Sequence, residues 1–387
     1  MKSVNSSFKR RAESLLVPTY GPRPVLFERG EGCLLFDEHG REVLDFAGGI
    51  ATCLVGHGRP EVTRAVEHAA SRLINATNLY YTRPQIELAA QLKKISGLPR
   101  TFLCNSGTEA IEAALKFARR ATGRTRFVGF SGAFHGRSLG ALSATHKAAL
   151  RDPFKPLLPG FSHVPFGDLD AAAKAIGPKI AAVIVEPIQG ETGVVPAPPG
   201  FLAGLQRLCR KAGALLIVDE IQTGMGRTGK WFAYQHDKLA PDMVTMAKGL
   251  ANGVPIGACL VSEKVSSAIK PGDHGSTFGG NDLACSAALA TLGVVRSERL
   301  LANAARMGRR LAAGLNKIKS PRIVGVRGQG LMQALVFRDD PSDVARRALD
   351  NGLLVLPTSK IALRMLPSLV IDSAQIDCGL ELLERSL

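Results

Sequence analysis

Three short stretches hold residue types that could do chemistry. The first is Asn105-Ser106-Gly107-Thr108-Glu109-Ala110, directly after an apolar run. Ser106 and Glu109 stand at capping-box spacing, which predicts a helix starting here. Gly107 would let a ligand approach the backbone closely. The free N–H groups at the positive helix end would then seat a phosphate. An ordinary strand–loop–helix junction has the same look, so this stretch alone decides nothing. It is neither the P-loop pattern nor GxGxxG, so the usual nucleotide motifs are absent. The second is Asp219, which ends the apolar run 214–218. Open α/β sheets bind ligands beyond the carboxyl ends of their strands. A helix cap or a solvated strand end is the plainer reading. A buried carboxylate would instead need a cation or a protonated ring nitrogen beside it. The third is Lys248, after the apolar run 242–246 and before Gly249. Most lysines are solvated, but a desolvated one can lose its proton and form a Schiff base. Together, a phosphate seat, a carboxylate for a pyridinium nitrogen and an amine for an aldehyde are the three handles of pyridoxal phosphate.

The elements that must position these groups alternate along the chain. Near-continuous apolar runs at 101–104, 126–130, 181–185, 214–218, 242–246 and 256–261 read as parallel strands covered on both faces. Helical periodicity lies between several of them. At 109–120 it follows the Ser106 cap, and at 201–211 Phe201, Leu205, Leu208 and Cys209 share one face. The expectation is an α/β fold with a mainly parallel central sheet. After Asp282 the pattern changes. One long helical stretch, 283 to about 315, precedes strands at 322–326, 331–337, 353–357 and 362–366, with helices at 341–351 and 376–387. This reads as a smaller α+β domain. A hairpin-like pair, 32–37 and 42–46, opens the chain. The expected division is 1–48 as an N-terminal segment packing with the small domain, 49–285 as the large domain and 286–387 as the small one.

Composition excludes several classes. The 387 residues carry 49 Lys+Arg against 33 Asp+Glu, a net charge of +16 that is spread without a long basic block. That excess admits a basic nucleic-acid-binding protein, but no recognised nucleic-acid motif or aromatic-studded basic stripe accompanies it. Seven cysteines, an odd number with no CxxC pair, argue against a disulfide framework and against zinc, and no metal is expected. No apolar run reaches the ~18 residues of a membrane span. The basic start, Met1 to Ser14, has no apolar core for a secretory signal, so the expected location is the cytoplasm.

The motifs resemble the class III (ω-amino acid) aminotransferases of the fold type I pyridoxal-phosphate enzymes. The resemblance runs from Tyr20-Gly-Pro-Arg-Pro and Gly30-Glu-Gly-Cys-Leu-Leu-Phe-Asp through Leu44-Asp-Phe-Ala-Gly-Gly-Ile-Ala to Leu363-Arg-Met-Leu-Pro-Ser-Leu-Val-Ile. It implies that Gly107 and Thr108 bind the cofactor phosphate. Phe134, in Gly132-Ala-Phe-His-Gly-Arg137, stacks on the ring. Asp219 keeps the ring nitrogen protonated, Gln222 approaches the ring hydroxyl and Lys248 holds the cofactor covalently. Ser276 and Thr277 arrive from the second subunit of a homodimer, Thr277 at the phosphate and Ser276 near substrate. Arg137 takes the α-carboxylate of acetylornithine and Arg364 that of glutamate. Glu191 gates Arg364. His135 reads as structural, and His57 as a turn residue.

The implied reaction moves the ω-amino group of N-acetylornithine to 2-oxoglutarate, giving N-acetylglutamate semialdehyde and glutamate, in arginine biosynthesis. Succinyldiaminopimelate, succinylornithine, ornithine and 4-aminobutyrate are alternative donors. A decarboxylase of this fold commonly has His before the lysine, where this chain has Ala247. An aminomutase has no need of a glutamate-specific arginine such as Arg364.

Overall fold

Seven strands form the central sheet of the computed structural model, which describes residues 6–21 and 23–387. Residues 1–5 of the basic start and Pro22 of the Tyr20 motif lie outside the described residues. In spatial order the strands are Arg100–Cys104, Gly257–Val261, Met243–Met246, Leu215–Asp219, Ile180–Val185, Arg126–Phe130 and Phe161–Val164. Every neighbouring pair is parallel except those of Gly257–Val261, which runs against both of its neighbours. The six expected runs are all strands of this one sheet.

Coverage on both faces explains their continuous apolarity. Within Leu215–Asp219, Leu215 and Ile217 pack into one core cluster with Ile111, Leu115 and Phe117 of helix Gly107–Thr122. Leu216 and Val218 point the other way, into a cluster with Phe201, Leu205 and Cys209 of helix Phe201–Ala212. Alternate residues of a strand face opposite sides, so both sets must be apolar. Leu205 is fully buried, and truncating it to Ala would cost about 2–5 kcal/mol. Gly213 ends its helix in the left-handed conformation at φ 65, where a residue without Cβ is favoured.

The C-terminal part departs from expectation in two places. The long helix expected over 283–315 is two helices, Asp282–Ser297 and Leu300–Lys317. Between them Arg299 adopts φ 53, and Glu298 is drawn into an ion pair with Arg59. Apolar periodicity continues across the break, which hides it in the sequence. The expected strand 353–357 is also divided. Leu353–Leu354 pairs in parallel with Glu42–Asp45, in a sheet with Leu34–Asp37 and Phe27–Glu31. Leu356–Thr358 instead edges a second sheet, beside Ala362–Met365, Met332–Phe337 and Ile323–Gln329. Pro357 lacks an N–H, which suits an edge position. The opening hairpin is thus tied to the C-terminal part. Among the described residues, no helix is long and apolar enough to cross a membrane, and no group of His, Cys, Asp and Glu could hold a metal.

Candidate active site

A cavity of ≈ 360 Å³ opens where strands Arg100–Cys104, Leu215–Asp219 and Met243–Met246 end, and Gly107, Thr108, Phe134, Glu191, Asp219, Gln222 and Lys248 all line it. One wall is the start of helix Gly107–Thr122. Ser106 is its N-cap and accepts from the Glu109 N–H at 3.3 Å. The Glu109 carboxylate reaches one residue further back than a capping box would, to the backbone N–H and side-chain amide of Asn105 at 2.8 and 2.9 Å. Gly107 and Thr108 therefore present first-turn N–H groups with no intrahelical acceptor at the cavity wall. The Thr108 hydroxyl is held by Ser138, Oγ to Oγ at 2.7 Å, and Ser138 in turn donates to Glu112 at 2.5 Å.

The floor carries a buried carboxylate. Asp219 is 4% exposed; its Oδ1 accepts from the Ile221 N–H at 3.0 Å and its Oδ2 lies 2.7 Å from Nδ1 of His135. Burial alone would lower the His135 pKa, but the bond to Asp219 and the nearby Glu186 outweigh it and raise it. Nε2 of His135 is buried without a partner among the described residues. Lys248 follows the strand Met243–Met246 and adopts φ 36, a strained value for a residue with a Cβ. Burial pushes its amine below the ordinary lysine pKa, Arg364 reinforces this, and Glu191, Asp219 and Glu186 oppose it.

The remaining wall holds an ion pair. Arg364, 3% exposed on strand Ala362–Met365, donates through Nη1 to Glu191 at 2.5 Å, to the Gly190 carbonyl at 3.1 Å and to Gln222 at 3.3 Å. Its Nε has no partner among the described residues. Burial would raise the Glu191 pKa, but Arg364 outweighs it, with Lys248 and Gln222 helping, and the carboxyl stays below its usual value. Thr358 also donates to the Glu191 carbonyl at 2.9 Å.

Three of the expected residues lie elsewhere in the chain as it folds alone. Arg137 is exposed, its guanidinium 5.9 Å from the Phe134 ring centroid and outside the cavity lining. Ser276 and Thr277 line a neighbouring cavity of ≈ 320 Å³. Ser276 accepts there from the Asn105 side chain at 3.2 Å, and Thr277 is exposed. Asn105 lines both cavities.

Sequence reasoning gave no functional place to His135 or Glu186, both of which line the main cavity. The signals were the adjacency of His135 to Phe134 and the place of Glu186 directly after the apolar run 181–185. His57, expected as a turn residue, bonds Asp45 through Nε2 at 2.8 Å. That bond, aided by Cys53, raises its pKa to about 10.

A helix N-terminus, a buried Asp, a desolvated Lys and a paired Arg on one cavity define a class of enzyme, and the class-III aminotransferase family model matches residues 17–387. The chain belongs to that family. Acetylornithine aminotransferase from Archaeoglobus fulgidus is 48% identical over 373 residues, spanning 96% of this chain and 98% of that one. Among solved structures, acetylornithine aminotransferase from Elizabethkingia anophelis superposes with a TM-score of 0.88 at 32% identity, over 98% of this chain and 97% of its own. The ornithine aminotransferase of Toxoplasma gondii, whose structure shows partial occupancy of PLP at its active site, gives a TM-score of 0.95 at 34% identity, over 100% and 94%.

Proposed function

We propose that this chain is a pyridoxal-phosphate enzyme that moves the ω-amino group of N-acetylornithine to 2-oxoglutarate, yielding N-acetylglutamate semialdehyde and glutamate. The observation that carries this reading is the convergence of Lys248, Asp219 and the Gly107–Thr108 helix start on one cavity whose other wall is the Arg364–Glu191 pair. The donor set fits the cofactor. Asp219 is a buried carboxylate whose only side-chain partner among the described residues is His135, which leaves it suited to a second, cationic neighbour. Unsatisfied N–H groups suit a phosphate. An amine with a lowered pKa suits an aldehyde. When bound, pyridoxal phosphate supplies a ring that accepts the negative charge left on the substrate carbon after proton loss.

The chain's own residues supply the rest. Gly107 and Thr108 would fix the phosphate end, and Phe134 would pack on the ring face. Asp219 would keep the ring nitrogen protonated, with His135 orienting its carboxylate. Gln222 would stand near the ring hydroxyl. Lys248 would hold the group covalently and supply the amine that moves the proton at the substrate carbon. Arg364 offers a planar fork for the α-carboxylate of glutamate. Glu191 covers that fork when an uncharged methylene enters beside it, and Arg137 takes the distant carboxylate of acetylornithine.

A homodimer completes the site in this reading. The exposed Thr277 and the half-buried Ser276 sit on a glycine-containing loop, suited to reach a partner's cavity. Seven unpaired thiols accord with a reducing cytoplasm. The test is borohydride reduction of the holoenzyme followed by peptide mapping. The label should fall on Lys248, and a label on another lysine rejects the assignment.

A further inference from the structure

Glu186 follows strand Ile180–Val185 and is 7% exposed. Its Oε1 accepts from the Phe134 N–H at 2.9 Å, and its Oε2 accepts from the Gly190 N–H at 3.1 Å. Those two amides belong to different segments. The first carries the ring-packing Phe134. The second carries the gate, because Gly190 precedes Glu191 and its own carbonyl accepts from Arg364. Two further bonds stitch the same segments: the Gln189 amide donates to the Ser131 carbonyl at 2.8 Å, and the Thr192 hydroxyl donates to the Gly132 carbonyl.

A carboxylate is an expensive choice for such a place. Burying one is costly unless it is well bonded. Burial pushes the Glu186 carboxyl above its ordinary value, with Asp219 adding to the effect and His135 and the two N–H groups opposing it. Lys248 also lies within its field. What an ionised carboxylate offers is two acceptor oxygens on one rigid group. A glutamine has one acceptor and puts a donor in the other place.

We propose that Glu186 is a positioning residue that couples the Phe134 segment to the Gly190–Glu191 gate, so that the balance between the two half-reactions depends on it. The gate itself rests on the reading under Proposed function, so the test separates the two.

Hydrogen exchange is measured by mass spectrometry on the full-length holoenzyme and on Glu186→Gln, which keeps the side-chain volume. Although the substitution must break only one bond, coupling predicts that peptides containing Phe134 and peptides containing Gly190 both lose protection, by roughly five- to tenfold. Glu186→Asp keeps the charge but cannot span both amides, and should do the same. In single-turnover assays Glu186→Gln should slow the acetylornithine half-reaction relative to the glutamate one, by roughly three- to tenfold. A merely structural role would lower both equally. Glu191→Ala is run alongside: if it leaves the ratio unchanged, the gate reading fails, and the paired exchange still decides the coupling. Loss of protection in one segment only overturns the proposal. So does an unchanged ratio in Glu186→Gln where Glu191→Ala shifts it. If neither Glu186 variant folds, Glu186 is an anchor of the fold and the positioning role is overturned.

Discussion

Removing the Glu191 carboxylate should separate the two half-reactions. In the resting site Arg364 is almost wholly buried and its nearest anion is Glu191 at 2.5 Å. Breaking a fully buried ion pair by deleting one partner costs on the order of 3–5 kcal/mol. Two observations reduce that figure here. The Glu191 side chain is 39% exposed, so solvent screens the pair. Arg364 also keeps the Gly190 carbonyl and Gln222 as acceptors. About 1–3 kcal/mol remains, or roughly 5- to 150-fold in a rate. The direction follows from the substrates. In the proposed site glutamate would bring its own carboxylate to Arg364, so the loss of Glu191 would cost it little. Acetylornithine would place an uncharged methylene there, beside a cation that has lost its counter-ion. Glu191→Ala should therefore slow the acetylornithine half-reaction by that factor and leave the glutamate one within about threefold. The assay is single-turnover absorbance of the pyridoxal and pyridoxamine forms with each substrate. Equal slowing of both half-reactions, or greater slowing with glutamate, would refute the reasoning.

Asp219→Asn removes the buried charge proposed to face the ring nitrogen and should lower the rate of proton loss by about 10²–10⁴ while the protein stays folded, which stopped-flow absorbance can read; a fall of less than tenfold would remove Asp219 from its proposed place. Mixing Lys248→Ala with Thr277→Arg subunits, each inactive alone, should return roughly a quarter of wild-type activity if Thr277 serves the partner's site in a two-fold dimer, and none if it serves its own. His57 titrates in the fold at about 10, above the ~6.5 of an unfolded chain. Its pairing with Asp45 is then fully present below pH ~6.5 and is lost as pH rises through 10. His57→Gln should lower stability by about 2–4 kcal/mol at pH 6, with the difference fading towards pH 10 in urea titrations; a deficit that grows with pH would reverse the assignment.

The central sheet was readable because each strand is covered on both faces, which leaves long apolar runs with few rival explanations. The three chemical handles were readable for a related reason. Gly107–Thr108, Asp219 and Lys248 each stand just past such a run, so the sheet that explains the apolar residues also brings the polar ones to one end. What stayed hidden is set by contacts between distant residues. His135 and Glu186 take their places from Asp219 and from the amide of Phe134, 84 and 52 residues away. Local pattern carries no trace of such partners. The break at Arg299 was hidden because both flanking helices keep helical periodicity. The division near Val355 was hidden because strand residues on two different sheets remain contiguous in the chain. Arg137, Ser276 and Thr277 form a third case. Their expected roles need a second chain or a bound substrate, and the fold of one chain leaves them outside the main cavity.

The measurement that tests the functional reading most directly is a donor panel on the wild-type enzyme. The pyridoxal form is mixed with N-acetylornithine, N-succinylornithine, succinyldiaminopimelate, ornithine and 4-aminobutyrate in turn, and conversion to the pyridoxamine form is followed by its visible spectrum. N-acetylornithine should convert the enzyme with the highest kcat/KM, and 2-oxoglutarate should restore the pyridoxal form. Faster conversion by another donor, or no recovery with 2-oxoglutarate, would contradict that reading.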